Sequence, residues 1–177
     1  MKMTRGLRNN NPLNIRKVPG THWRGEVLPP KGATGVFRGA TECGSGPTKG
    51  SDYPVATEDR EGAGDREFVQ FSSVEYGIRA AFCILETYRR KYKAVCIEDI
   101  INRWAPPSEN DTRKYVETVC RLTGFGGKER LEESQLPALV YAMAFVECGA
   151  PISKETILKG FRLFKEIQNS KLKNQKP

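Results

Sequence analysis

The feature that most constrains this chain is a run of eleven residues without a charge, Leu136 to Val146 (LPALVYAMAFV), followed directly by Glu147-Cys148-Gly149. The run is apolar all round rather than along one stripe. As a helix it must therefore be buried on every side, which requires other elements packed around it. Ser134 is placed to cap its start and Gly149 to stop it. A carboxylate on the last turn opposes the helix macrodipole, and its apolar neighbours desolvate it. On these grounds Glu147 is expected to suit the role of a general acid working near neutrality. The plain alternative is that Glu147 marks where the helix leaves the core and points into water.

The rest of the composition supports a helical core of this kind. With 177 residues and 38% hydrophobic content, the chain fits one domain with a sizeable core. The apolar run is far shorter than the roughly 20 residues a helix needs to cross a bilayer. The N-terminal MKMTRGLRNNNP carries no apolar stretch behind its basic residues, so no secretory signal is expected and synthesis is placed in the cytoplasm. Five cysteines, at 43, 83, 96, 120 and 148, have no paired C-x-x-C spacing, which argues against a disulfide framework or a zinc site. His22 is the one histidine, in a Gly- and Pro-flanked loop, so neither Cys–His catalysis nor metal binding is expected. No cofactor is expected either.

The net charge of +8 asks for a polyanionic partner, either bacterial cell wall or nucleic acid. Basic clusters fall at Arg89-Arg90-Lys91-Tyr92-Lys93 and in the tail SKLKNQK. No aromatic and basic alternation of the single-strand-binding kind stands out.

Two unequal parts are expected within a single domain spanning 1–177. Residues 1–71 hold most of the glycines and prolines and read as a hairpin and loop lobe, with extended stretches at Asn14–Val18 and Glu67–Phe71. Within it, Lys31–Asp65 reads as loops and hairpins. Residues 72–168 form a helical lobe, and 169–177 a frayed tail. Ser72-Ser73-Val74-Glu75 has the form of a capping box ahead of a helix over Gly77–Tyr92. Further helices are predicted over Ile97–Trp104, ended by Pro106-Pro107, and over Thr112–Thr123, capped by Asn110 or Asp111. The last two are Leu136–Cys148 and, after Ser153, Lys154–Gln168. The class is α+β, mainly α.

Several pieces, in order, resemble a phage and Bacteroidetes lysozyme-like family whose members are described as endolysins or virion structural proteins. They are Arg5–Arg16 (RGLRNNNPLNIR), Trp23-Arg24-Gly25, Phe68-Val69-Gln70-Phe71 and Glu75–Ala81 (EYGIRAA). The series continues through Arg103–Thr112 (RWAPPSENDT) and Tyr115 to Ala142–Gly149 (AMAFVECG). The parts are also similar to those of flagellar-type glucosaminidases, in which a helix ends in a catalytic Glu and a hairpin and an F-x-x-F strand follow. Here the Glu-bearing helix comes last and the hairpin first. The resemblance thus implies a lysozyme-like fold in circularly permuted order, which is topologically open when termini lie close together.

What the resemblance implies chemically is cleavage of a glycosidic bond in peptidoglycan. Glu147 would protonate the leaving oxygen, and a second carboxylate would act as nucleophile or activate water. Glu58, Asp59, Glu61 and Asp65, before the FVQF stretch, are candidates for that second role. A transglycosylase with a single essential Glu, releasing an anhydro sugar, is not excluded by the sequence. Asn10, Asn11 and Asn14 would line the cleft and bond sugar amides, or else serve turn chemistry alone. Gln70 shares a strand face with Phe68, so it belongs to cleft or core. Trp23 and Trp104 can stack on sugars or pack in the core. Tyr115 can bridge to substrate or to Glu147. Glu109 is either a rival acid or a support for the start of the helix beside it.

Two functional classes follow. The first is a peptidoglycan-cleaving glycosidase (muramidase, glucosaminidase or lytic transglycosylase) acting on glycan strands of the bacterial cell wall, delivered by a holin, a virion or a secretion system. The second is a non-enzymatic basic protein, either a virion component that binds the wall or an all-α nucleic-acid binder.

Overall fold

The computed structural model of the chain describes residues 3–28 and 65–173. Among the described residues, six helices carry the fold: α1 (Arg5–Arg8), α2 (Val74–Tyr92), α3 (Ile97–Trp104), α4 (Thr112–Thr123), α5 (Leu136–Cys148) and α6 (Lys154–Lys173), with a 3₁₀ turn at Glu133–Gln135. The molecule is mainly helical, as its patterning predicts.

The apolar run forms α5, and it lies where its sequence requires. It packs against α1, α2, α4, α6 and the 3₁₀ turn. Leu139, Val140, Ala142, Met143 and Ala144 are all fully buried. Each large apolar side chain so placed contributes about 1.5–3 kcal/mol relative to exposure. Gly149 ends the helix in the left-handed conformation (φ 66°), with its N–H on the Phe145 carbonyl. The start differs from expectation. Gln135, not Ser134, is the N-cap, and a capping box between Glu132 and Gln135 closes the preceding 3₁₀ turn. Pro137, in the first turn, has no N–H that would be left unpaired there.

The longest packed pair is α2 and α6. Its closeness is set by Gly160, where an added Cβ would stand 2.5 Å from Ile78 Cγ2. Phe82 also meets Phe161 in a tilted contact and stacks with Phe164, at centroid distances of 4.9 and 5.8 Å. Helix α2 begins at Val74 rather than Gly77, and its N-cap Ser73 makes no side-chain cap bond. By contrast Asp111 caps α4 by accepting from the Lys114 N–H at 3.1 Å. Helix α6 runs past Gln168 to Lys173.

The N-terminal part departs most from expectation. In place of a β-hairpin, the described residues show only two isolated antiparallel bridges, Arg16 to Phe68 and Glu26 to Phe71. Order here comes from side-chain amides. Asn11, wholly buried, donates to the carbonyls of Ile15 and Val69 and accepts from the Ile15 N–H, each at 2.9 Å. Asn10 donates to the Phe71 carbonyl at 2.9 Å. An amide that serves three backbone groups does locally what a ladder does along a strand. The start of α2 leans on this loop so closely that a Cβ at Gly77 would collide with the Asn10 carbonyl. The region Lys31–Asp65, read from sequence as loops and hairpins, lies outside the described residues except for Asp65.

Candidate active site

Helix α5 delivers Glu147 to the edge of the core, half-buried on the final turn. Its carboxylate is held from two sides. Oε1 accepts from the Trp104 indole N–H at 2.9 Å and from the Tyr115 hydroxyl at 3.1 Å. Oε2 accepts from the Asn14 amide at 3.2 Å, and the same amide reaches the Glu147 backbone carbonyl at 3.2 Å. These donors come from the end of α3, the first turns of α4 and the asparagine loop. All three are neutral. Among the described residues no lysine or arginine pairs with Glu147.

Each donor has a local reason for its position. Asn14 adopts a left-handed backbone (φ 49°), a conformation asparagine tolerates better than most residues. Trp104 is the last residue of α3, which stops where Pro106-Pro107 forbids continuation. Tyr115 is buried, and burial followed by the nearby Glu147 charge and hydrogen bond pushes its hydroxyl well above the usual phenol range. It therefore stays a donor at any physiological pH.

Around Glu147 lies a cleft of about 310 Å³, within the usual range for small-ligand sites. Leu13–Arg16 and Phe68 supply one side, and Arg103–Ala105 with Glu109 and Asn110 another. Ile84 and Tyr88 of α2 complete it. The Arg103 guanidinium lies 3.4 Å from the Tyr92 ring centroid, a stacked position that restricts it. Arg103, Arg16 and Tyr88 were not singled out by sequence reasoning. The hints were positions within the family-like stretches, Arg103 beside Trp104 and Arg16 at the end of RGLRNNNPLNIR.

Of the residues proposed from sequence, the structure brings together Glu147, Asn14, Trp104 and Tyr115. It does not bring Asn10, Asn11 or Gln70 to this cleft. The asparagines are spent on backbone groups, and Gln70 donates to the Asn9 side chain at 3.2 Å. Trp23 is a buried core residue. Asp65, a candidate second carboxylate, is an ionic clamp. It accepts two bonds from the Arg5 guanidinium at 2.7 and 2.8 Å and one from Asn9 at 2.7 Å. The Glu67 and Phe68 N–H groups add bonds at 3.0 Å. Burial alone would raise its pKa, but the bonds from Arg5, Phe68, Asn9 and Glu67 together hold it far below the usual carboxylate range. Glu58, Asp59 and Glu61 lie outside the described residues.

Among the described residues there is no cluster of three or more His, Cys, Asp or Glu side chains able to hold a metal ion. Cys96, Cys120 and Cys148 all have thiols pushed up chiefly by burial, the opposite of an activated nucleophile. Among those residues, too, no helix is long and apolar enough to cross a membrane.

No protein-family model matches the chain. It is 36% identical over 160 residues to Protein P5 of Pseudoalteromonas phage PM2, a match covering 89% of this chain and 79% of that protein. The chain belongs to the family of this phage protein.

Proposed function

We propose that this protein is a peptidoglycan-cleaving glycosidase in which Glu147 is the general acid. We further propose that its helical body is a lysozyme-like fold in permuted order. The observation that carries the reading is the setting of Glu147: a carboxylate at the end of a buried helix, opening into a cleft, fixed by three neutral donors. An ion pair would commit the group to its charged form. Neutral donors instead fix the orientation of the carboxyl group at the cleft, where a substrate oxygen can reach it. With Oε1 accepting two bonds and Oε2 one longer one, Oε2 is the oxygen that delivers the proton. Glycosidic cleavage asks for a carboxylic acid so positioned.

The phage kinship and the net charge of +8 fit a protein that meets the anionic bacterial wall, from a virion or after release through a holin. The same two observations support a second reading, a virion component that binds the wall without cutting it. Release of soluble fragments from purified peptidoglycan, with wild type and Glu147→Gln compared at equal melting temperature, separates them. Cleavage by wild type alone supports the enzyme. Binding by both proteins without cleavage supports the wall-binding component, and equal cleavage by both removes Glu147 from the mechanism.

A further inference from the structure

If Glu147 is the acid, the outcome of the reaction depends on whether a second group can activate water. We propose that Glu109 is that group, so that cleavage ends in hydrolysis rather than in closure of an anhydro ring. This inference rests on the reading of Glu147 above.

Among the described acidic residues, Glu109 and Glu147 are the two that line the cleft. Their environments differ: Glu147 is half-buried, whereas Glu109 is exposed at the cleft's edge, where water reaches it. Paired carboxylates in contrasting surroundings are the arrangement that separates an acid from a base. Asp65, the described rival for the role, is consumed by Arg5 and Asn9 and does not line the cleft.

Glu109 also sits on a pinned connection. The Ala105 N–H bonds the Ile101 carbonyl at 2.8 Å, and the Thr112 hydroxyl bonds the Ala105 carbonyl. Both the Glu109 and Asn110 N–H groups donate to the Pro106 carbonyl, at 3.0 and 3.2 Å. Pro106 and Pro107 restrict the backbone ahead of that turn. The segment runs from α3 to α4, the helices whose Trp104 and Tyr115 hold Glu147. One connection therefore sets the relative positions of both acids, as a base that must meet a defined water requires.

The step balances without a further reactant. Glu147 gives its proton to the glycosidic oxygen as the bond from that oxygen to the anomeric carbon breaks. A water oxygen bonds to the same carbon while Glu109 takes a proton from that water. The products are one fragment with a new hydroxyl and one with a free reducing end, and solvent returns the two carboxyl groups to their starting states.

The test is digestion of purified peptidoglycan in ¹⁸O-water by wild type, Glu147→Gln, Glu109→Gln and Glu109→Ala, with reducing ends trapped by reduction and weighed by mass spectrometry. Wild type is expected to give ¹⁸O-labelled reducing ends. Glu109→Gln should lose about a hundredfold or more in rate at an unchanged melting temperature. Azide added to Glu109→Ala should restore cleavage and yield a glycosyl azide, which a merely structural role would not produce. Anhydro products from wild type, or full activity in Glu109→Gln with Glu147→Gln inactive, overturn the role of Glu109 alone. Absence of cleavage by wild type overturns the underlying reading as well.

Discussion

Glu147 and Asp65 are both withdrawn from bulk water, yet the chain treats them in opposite ways. Asp65, with only 7% of its side chain exposed, is surrounded by Arg5, Asn9 and two backbone N–H groups. The Lys17 ammonium also lies on its backbone carbonyl, at 2.5 Å. Glu147 receives an indole, a phenol and an amide, with no cation among the described residues. A carboxylate ringed by cationic and backbone donors has one stable form and serves as a fastener. One ringed by neutral donors is held in orientation without a paired cation. On the proposed reading, this contrast rather than exposure separates the reacting acid from the structural one.

The comparison breaks most visibly at Glu147. Glu147→Gln should lower peptidoglycan cleavage by about a thousandfold or more while leaving the melting temperature nearly unchanged, as read by fragment release and calorimetry. Asp65→Asn should do the reverse. It should cost about 2 kcal/mol in denaturant unfolding, because Arg5 and Asn9 lose their charged acceptor. Its pH dependence follows from the depressed folded-state pKa. The stability Asp65 contributes is fully present above its unfolded value of about 3.9 and lost as pH falls through the folded one. The gap between wild type and Asp65→Asn should therefore be constant above about pH 5 and narrow as acid is added below pH 4.

Smaller effects sharpen the same contrast. Tyr115→Phe removes one neutral donor without changing shape, and should cost about tenfold in rate by loosening the Glu147 carboxylate. Glu67→Gln should be nearly silent, within about 0.5 kcal/mol, although Glu67 pairs with Arg5 and Arg16 at 3.2 and 2.6 Å. Those pairs are close to half exposed, and solvent screens what it reaches. A large loss there would mean that the clamp at Asp65 extends further than its buried core.

How much of this was legible depended on whether the cause was local. Helices α3, α4 and α5 follow the sequence-derived bounds residue for residue, because Pro106-Pro107, the Asp111 cap and Gly149 are stop and start signals carried in the chain itself. Glu147 was legible for the same reason, at the end of an uncharged helix. Among the described residues, two isolated bridges stand where a hairpin was expected at the N-terminus. Asn11 replaces ladder pairing with bonds to Ile15 and to Val69, the latter 58 residues away, and no periodicity encodes such a bond. Gln70 was misplaced by assuming a strand where only bridges exist. The clamp on Asp65 was hidden because its partners Arg5 and Asn9 lie 60 and 56 residues away.

The Asn14 amide, bonded to both the backbone and the side chain of Glu147 across 133 residues of sequence, has a consequence for how the protein is born. The two strips of chain that meet there leave the ribosome far apart in time. While the growing polypeptide stops short of α5, Asn14, Trp104 and Tyr115 exist without the group they hold. Once α5 emerges, one event both closes the core and completes the cleft. A copy cut short of α5 lacks both the closed core and Glu147, and a nick that frees the asparagine loop removes the Asn14 bonds from a finished one.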